Sequence, residues 1–289
     1  MGLHEKALEC FCIDLNHINN ADDFKASYLY QKGLTLFYLN RYLEAIDQFD
    51  KSLSINIHQN GLSHNMKALS LMEIGDLDSA LFFINQAINN NSQNSAIRFN
   101  KALILIKLEN LQEALIALDD AIQIDMNNVN FYNNKGWVLE KLGNLESAKQ
   151  NYYLALEKNP QSSIIYFNLA NVLFKLKDYQ ESLHICDLAI QRNLKSAQIY
   201  SCKGQIFFIW SQMDEVKKNF ENAFLEPSCS DNEYRQFAQI LFQKNDLKNA
   251  LKYIEIAISR NSENNDNFMV QAEIVNSIQR ECQRNENHQ

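Results

Sequence analysis

The sequence predicts an all-α protein made of repeated helix pairs, and three observations support this fold class. Small residues return at a nearly constant interval of 34 residues, and the apolar residues between them follow helical spacing. Proline and glycine are rare, with 2 and 7 among 289 residues, which argues against a loop-rich or sheet-rich fold. The 46% hydrophobic content suffices for a continuous core. Because no linker-like stretch divides the chain, we expect a stack in which each helix pair buries its apolar face against its neighbours.

Three columns of small residues define the repeat. Gly136 belongs to the first column, although glycine inside a helix costs about 1 kcal/mol relative to alanine. The first column is Gly33, Ala68, Ala102, Gly136, Ala170, Gly204 and Ala238. The second, twelve residues later, is Ala45, Ala80, Ala114, Ala148, Ser182, Val216 and Ala250, and the third, seven residues further, is Ser52, Ala87, Ala121, Ala155, Ala189, Ala223 and Ala257. Only Val216 departs from the small-residue pattern.

A column of larger residues follows the second small column by four positions. Its members are Phe49, Ile84, Leu118, Tyr152, Cys186, Phe220 and Ile254. A small residue that faces a large one lets two helices approach closely while the larger side chain fills the gap. The period is therefore interpreted as structural.

The segment NNKGWVLEKLGNLESAKQNYYLALEKNP, residues 133–160, resembles the tetratricopeptide repeat (TPR). That repeat is an antiparallel helix pair with small residues at places eight, twenty and twenty-seven and often proline at place thirty-two. Proline occupies place thirty-two only once, at Pro160. The predicted repeats, each counted from place one, are 26–60, 61–94, 95–128, 129–162, 163–196, 197–230 and 231–264. The resemblance implies a right-handed α-solenoid, a superhelix of about seven TPR helix hairpins.

The two ends of the chain are expected to differ from the repeats. Residues 1–25 are predicted to hold an incomplete N-terminal repeat with one helix over residues 3–16. Stacking of this end on another copy of the chain, through Leu3, Leu8 and Asp14, is one possible mode of self-assembly.

The C-terminal end is expected to form a cap. Residues 265–282 place Phe268, Ala272 and Val275 on a predicted packing side and polar residues on the other, which is typical of a solvated capping helix. Residues 283–289 are predicted to be a disordered tail.

The search for catalytic or metal-binding residues leads to the expectation of no enzymatic activity, no cofactor and no metal. Every glycine has a structural assignment, so none is left for a phosphate-binding loop. The one His/Cys cluster is His4, Cys10, Cys12 and His17. Residues two apart on a helix point to different sides, and the spacing matches no zinc pattern well, so ordinary helix packing is favoured there.

Composition and charge also limit the location and the partners. The 6 cysteines show no disulfide-framework spacing, and we find no apolar leader or long apolar run, so we expect a cytoplasmic protein without membrane insertion. A net charge of −8 and the lack of a basic stripe with interleaved aromatic residues argue against nucleic-acid binding.

The TPR resemblance implies a concave binding groove lined by places two, five, six, nine, twelve and thirteen of each first helix. Place six holds Asn100, Asn134 and Asn168 in three successive repeats, and place thirteen holds Lys107, Lys141 and Lys175. This arrangement is similar to the asparagine ladder with which some family members hold a peptide backbone. An amide both donates and accepts hydrogen bonds, and a row of ammonium groups favours acidic residues.

Each predicted groove residue also has an alternative explanation. Asparagine is abundant, with 37 residues, so three in one column can arise by chance, and many asparagines suit helix caps and turns. Lysine in the last turn of a helix is stabilised by the terminal carbonyl groups without any ligand. Trp137 and Phe174 are candidate apolar anchors, but packing between repeats explains them equally well.

We therefore predict a non-enzymatic scaffold or adaptor that binds a partner protein or an extended peptide in the concave groove, with acidic residues of the partner favoured by the lysine row. The alternative is a structural subunit that packs laterally within a large multiprotein assembly. An enzyme with an unrecognised site is the third class, but the sequence shows no converging set of titratable residues.

Overall fold

The structure is a computed structural model that describes residues 2–10, 22–55, 60–91 and 93–286. Within these residues every regular element is an α-helix, and there are sixteen of them, α1 to α16. The all-α fold class is confirmed. The helices form two compact units, an N-terminal unit, Met1–Asn144, and a C-terminal unit, Leu145–Gln289.

The N-terminal unit consists of a short helix, three hairpins and the first helix of a further repeat. Its helices are α1 (Gly2–Cys10), α2 (Asp22–Tyr38), α3 (Tyr42–Ile55), α4 (Asn60–Glu73), α5 (Leu77–Asn90), α6 (Ser95–Lys107), α7 (Leu111–Ile124) and α8 (Val129–Lys141). The pairs α2–α3, α4–α5 and α6–α7 pack as hairpins, and the second helix of each pair also contacts the next first helix. Each hairpin thus buries its apolar face against the neighbouring elements of the chain.

The C-terminal unit has the same plan. Its helices are α9 (Leu145–Lys158), α10 (Ser163–Lys175), α11 (Tyr179–Gln191), α12 (Ala197–Ile209), α13 (Met213–Leu225), α14 (Asp231–Gln243), α15 (Leu247–Arg260) and α16 (Asn265–Glu286). The hairpins are α10–α11, α12–α13 and α14–α15, and α16 packs on both helices of the last one. Val216, the exception in the second small column, is fully buried beside Phe220 and Ala238, so the larger side chain is accommodated in this core.

Small and large residues meet inside the hairpins as their columns predict. A Cβ atom placed on Gly33 would lie 2.6 Å from Cε1 of Phe49, and one on Gly204 would lie 2.7 Å from Cε2 of Phe220. Where the small residue is alanine, its partner is smaller: Ala102 and Leu118 are both fully buried in one cluster. These glycines are therefore required by the close approach of an aromatic ring.

In the turn after each first helix, the residue at place fifteen has a positive φ. The residues are Asn40, Gly75, Glu109, Gly143, Lys177, Ser211 and Asn245. Glycine adopts this left-handed conformation without steric cost and asparagine tolerates it, whereas other side chains are strained there. Glu109, Lys177 and Ser211 therefore carry a local conformational cost.

Asparagine side chains cap several helices, as the sequence suggested for the junctions. Asn94 accepts hydrogen bonds from the backbone amides of Ala96 and Ile97, and Asn110 and Asn128 cap α7 and α8. These caps satisfy amide groups that lack a partner in the first turn of a helix.

The chain ends differ in part from expectation. Helix α1 covers residues 2–10, and the rest of the helix predicted over residues 3–16 lies outside the described residues. Helix α16 continues to Glu286, so residues 283–286 of the predicted tail are helical. Glutamine, arginine and glutamate are good helix formers, and Asn245 Nδ2 donates to Glu281 Oε1 at 3.1 Å, which supports the last turns.

The prediction of which side of α16 packs against the repeats was also wrong. Val270 and Ile274 are buried against α14 and α15, whereas Phe268 and Ala272 are exposed. Among the described residues, none of the helices combines the length and apolar character needed to cross a membrane.

We predict that Gly204→Ala lowers the free energy of unfolding by about 1–3 kcal/mol, because the added methyl group overlaps the Phe220 ring. The measurement is urea denaturation followed by circular dichroism. The same change should cost less in a Phe220→Leu background, where the ring is absent. Equal costs in the two backgrounds would contradict the proposed contact.

We also predict that Lys177→Gly raises the free energy of unfolding by about 1 kcal/mol by relieving the left-handed backbone. Gly143→Ala is the matched control with the opposite sign, since an added Cβ there meets no atom within 4 Å and only the backbone conformation changes. A stabilising Gly143→Ala, measured by thermal denaturation, would argue against this explanation.

Candidate functional site

The first helices of each unit form a continuous surface, which we call the first-helix face. It consists of places two, five, six, nine, twelve and thirteen of the first helices, which share one side of a helix. In the N-terminal unit, α2 contacts α4 and α4 contacts α6. Helix α6 also contacts α8, because the ring centroids of Phe99 and Phe131 are 5.0 Å apart. In the C-terminal unit α10, α12, α14 and α16 contact one another in the same way.

The predicted asparagine row is divided between the two units. Asn100 and Asn134 lie on α6 and α8 of the N-terminal unit, and Asn168 lies half-buried on α10 of the C-terminal unit. Asn100 Nδ2 donates to Oδ1 of Asn65 on α4 at 2.8 Å, and Asn134 Nδ2 donates to the backbone oxygen of Asn130 at 2.8 Å. Since a side-chain amide has two N–H donors and one acceptor oxygen, Asn100 and Asn134 each retain further hydrogen-bonding capacity.

The predicted lysines are exposed at the ends of their helices. Lys107 Nζ lies 3.5 Å from Glu73 Oε1 on α4, and Lys141 Nζ lies 5.3 Å from the centroid of the Trp137 ring. Lys175 is exposed in the last turn of α10. All three lie where the carbonyl groups of the helix end favour a cation, so helix stabilisation accounts for part of their placement.

The predicted aromatic anchors are half-buried. Trp137 packs against the cluster that contains Ala102 and Leu105. Phe174 meets the edge of Tyr179 at a centroid distance of 5.3 Å. Each ring therefore contributes to packing within its own unit and exposes only part of its surface.

The sequence interpretation missed a difference between the two units at place nine. In the N-terminal unit this place holds half-buried apolar residues, Leu34, Leu69, Leu103 and Trp137. In the C-terminal unit it holds polar residues, Asn171, Gln205, Gln239 and Glu273. The signal is visible in the repeat alignment, because place nine changes character between the fourth and fifth repeats. The central row of the first-helix face is thus apolar in one unit and polar in the other.

Hydrogen bonds between adjacent first helices were also missed. In the C-terminal unit, Gln236 Oε1 accepts from Ser201 Oγ at 3.0 Å and from Gln205 Nε2 at 2.8 Å. Ser201 and Gln236 occupy places five and six, the same places as Asn65 and Asn100 in the N-terminal unit. Each unit therefore has a polar link from place five of one first helix to place six of the next.

A third missed feature is an ion pair that links neighbouring hairpins in alternate repeats. A lysine at place seven meets an aspartate at place twenty-five of the preceding repeat, and the pairs are Lys67–Asp50, Lys135–Asp119 and Lys203–Asp187, each at 2.5 Å. The lysine side chains are only 12%, 24% and 16% exposed. The sequence contains this signal, because lysine at place seven and aspartate at place twenty-five of the preceding repeat occur together in every second repeat. It is visible only when the two places are compared together.

The possible metal cluster lies largely outside the described part of the chain. Cys12 and His17 are not described, and the position of the Cys10 side chain is not described either. The His4 ring stacks on Tyr38 at a centroid distance of 5.2 Å, which is a packing contact.

Sequence comparison identifies the repeats. Tetratricopeptide-repeat family models match residues 26–56, 117–150 and 152–184. A model described as "Anaphase-promoting complex, cyclosome, subunit 3" matches residues 57–121. A search of curated proteins finds no match to this sequence.

Solved structures show the same fold. A tetratricopeptide repeat protein from Parabacteroides merdae is 17% identical, with a TM-score of 0.72 over 87% of this chain and 99% of its own. Yeast Tom70 is 19% identical, with a TM-score of 0.60 over 96% of this chain and 59% of its own. The APC/C hetero-tetramer Cut9–Hcn1 contains a chain that is 13% identical, with a TM-score of 0.59 over 88% of this chain and 58% of its own.

Together, the repeat columns, the hairpins and these matches show that the chain belongs to the tetratricopeptide-repeat family. The TPR fold is in general a protein-interaction scaffold and is typically non-enzymatic. For this family the exposed surfaces of the helices, rather than a catalytic pocket, are the places to look for function.

We predict that Asn100→Ala lowers the free energy of unfolding by about 1–3 kcal/mol, because it leaves the oxygen of the buried Asn65 without its donor. Asn134→Ala is the matched control and should change stability by less than about 1 kcal/mol, since its bond is to the backbone of its own helix. Thermal denaturation of the two variants tests this difference. Similar losses would mean that Asn100 and Asn65 are not coupled.

Proposed function

We propose that this protein is a non-enzymatic scaffold whose first-helix face binds a segment of a partner protein. The observation that carries the proposal is the half-buried apolar row at place nine of the N-terminal unit, Leu34, Leu69, Leu103 and Trp137. Such a row supplies apolar contact area, which three hydrogen-bonding amides alone would not provide, since each net hydrogen bond contributes only about 1 kcal/mol.

Polar residues beside the apolar row suit an extended peptide. Asn100 and Asn134 lie at place six, on the same side of their helices as place nine, and each retains capacity to bond a peptide group. Lys107 and Lys141 lie farther along the same face, so acidic residues of the bound segment are favoured near them. Asn168, Lys175 and Phe174 are proposed to serve the same purpose in the C-terminal unit.

The cellular setting that we propose is the cytoplasm. The thiols of Cys186, Cys202, Cys229 and Cys282 are free, which suits a reducing compartment.

A structural subunit of a large multiprotein assembly is the second candidate. Two observations favour it: the match of residues 57–121 to a family of anaphase-promoting complex subunits, and the exposure of Phe82 and Ile116 on second helices. An interface through the second helices would cover these side chains.

The test uses selection of 12-residue random peptides displayed on phage against the whole chain, followed by affinity measurement for variants. The double change Leu69→Gln and Leu103→Gln introduces the residue that the C-terminal unit carries at place nine in Gln205 and Gln239. We expect it to weaken binding of the selected peptides about tenfold or more, through loss of apolar contact.

Ile116→Gln is the control. It also replaces an aliphatic side chain by glutamine, but at an exposed position of a second helix, and it should leave peptide affinity unchanged. Circular dichroism of each variant confirms that the helices are intact. If the selected peptides bind the double variant as tightly as the native chain, the apolar row at place nine is not their binding site and the proposal for the first-helix face is rejected.

A further inference from the structure

Three junctions between the described repeats lack a Lys–Asp ion pair at places seven and twenty-five: α5–α7, α9–α11 and α13–α15, the last with Phe237 and Glu221 at these places. The junction between α5 and α7 has Asn85 at place twenty-five and Lys101 at place seven, and the junction between α9 and α11 has Tyr153 and Leu169 at these places. A cleft lies at each of these two junctions, on the side of the second helices.

The cleft of the N-terminal unit is small and polar. Its volume is about 380 Å³, and most of its lining side chains are charged or carry amides. Arg98 lies 3.0 Å from Asp120 across this cleft, so its main positive charge is already paired. This site therefore offers a partner less apolar surface than a cleft lined mainly by aliphatic and aromatic side chains.

The cleft of the C-terminal unit is larger and apolar. Its volume is about 640 Å³, and its lining includes Leu154, Tyr166, Ile185 and Leu188. Leu154 is 41% exposed. The Tyr153 hydroxyl donates to Glu181, so its one donor is already used within this chain. An exposed apolar cleft of this kind is the usual mark of a binding surface.

Arg192 lies at one end of this cleft and is oriented by the protein. Its Nη1 donates to the backbone oxygen of Pro160 at 3.2 Å, and its guanidinium lies 5.9 Å from the centroid of the Tyr166 ring. Within the described part of the chain, Arg192 forms no ion pair with an acidic side chain. Arg192 is exposed, so its remaining N–H donors are accessible to an acidic group of a partner.

The chemistry of the lining favours a helix over an extended peptide as the occupant. An extended peptide requires partners for its own N–H and C=O groups, and Gln150 is the only amide side chain in the lining. A helix satisfies these groups internally and needs only an apolar stripe and a terminal charge. Residues 150–157 of α9 line the cleft over about 11 Å, which matches roughly two turns of a bound helix.

We propose that the α9–α11 cleft binds an amphipathic helix of a partner protein, with apolar side chains against Leu154, Ile185 and Leu188 and an acidic side chain on Arg192. This site is separate from the first-helix face and does not depend on the function proposed for that face.

The experiment selects a phage library of 16-residue helix-forming peptides, randomised along one stripe, against the whole chain. Selected peptides should carry apolar residues at i, i+3 or i+4 and i+7 with an acidic residue at one end. A synthetic peptide of the selected sequence should bind Leu154→Glu at least about tenfold more weakly than the native chain. Arg192→Glu should reverse the preference from an acidic to a basic residue at that end.

Two control variants separate this site from others. Ile116→Glu places the same charge in the cleft of the N-terminal unit, and the double change Leu69→Gln and Leu103→Gln alters the first-helix face; both should bind the helical peptide as the native chain does. Loss of binding in either control would overturn the proposal, as would selected peptides without an acidic residue.

A second copy of the chain is another occupant that the test can reveal. Concentration-dependent association in light scattering that disappears in Leu154→Glu would show that the cleft mediates self-assembly, and the proposed helical partner would then be rejected. Circular dichroism of Leu154→Glu, a change at an exposed position, verifies that the fold is intact.

Discussion

The distance between the two helices of each hairpin is the constraint on which the rest of the structure depends. It is determined by a residue pair at places eight and twenty-four, one small and one large. Phe49 and Phe220 lie so close to Gly33 and Gly204 that even a methyl group would overlap the rings. Where place twenty-four holds an aliphatic residue, as at Ile84 and Leu118, place eight holds alanine. Because a repeat contacts only its neighbours, this local distance sets how each hairpin presents its surface to the next one.

The repeat columns made most of the fold predictable, and the exceptions have physical causes. First helices begin at Ser95, Val129 and Ser163, where the sequence places the start of successive repeats. The left-handed turns at Glu109 and Lys177 were not predictable from residue type, because nothing in these side chains favours that conformation and the surrounding hairpin imposes it. The buried side of α16 was predicted wrongly because the capping helix occurs once in the chain. The repeats can be aligned with one another to find their buried positions, whereas α16 has no second copy for such an alignment.

The sequence predicted which helices carry the candidate site residues, but not the hydrogen bonds that these residues form. The sequence located Asn100 and Asn134 on the first-helix face, yet it did not indicate that Asn65 occupies one donor of Asn100. That bond joins place five to place six of different repeats, and the residues that form it change from Asn65 to Ser201 between the units. Comparing the repeats one place at a time finds positions that hold the same type of residue. This hydrogen bond needs only a donor at one place and an acceptor at another, so the residue types can differ between the units.

The ion pairs depend on places seven and twenty-five together, because Lys101 also occupies place seven but Asn85 replaces the aspartate at place twenty-five, and a cleft lies at that junction. Place seven holds the lysine of each pair. A lysine there extends over the junction, and its aliphatic stem covers apolar surface while the ammonium group reaches the aspartate; Lys67 Nζ also lies 3.8 Å from the centroid of the Phe83 ring. Leu169 at the same place turns inward and is fully buried in the core, so it leaves the outer junction uncovered. Partly exposed ion pairs add little to stability, typically about 0–1 kcal/mol. Their role here is to link neighbouring hairpins, and the α9–α11 junction, which holds the apolar cleft, lacks such a link.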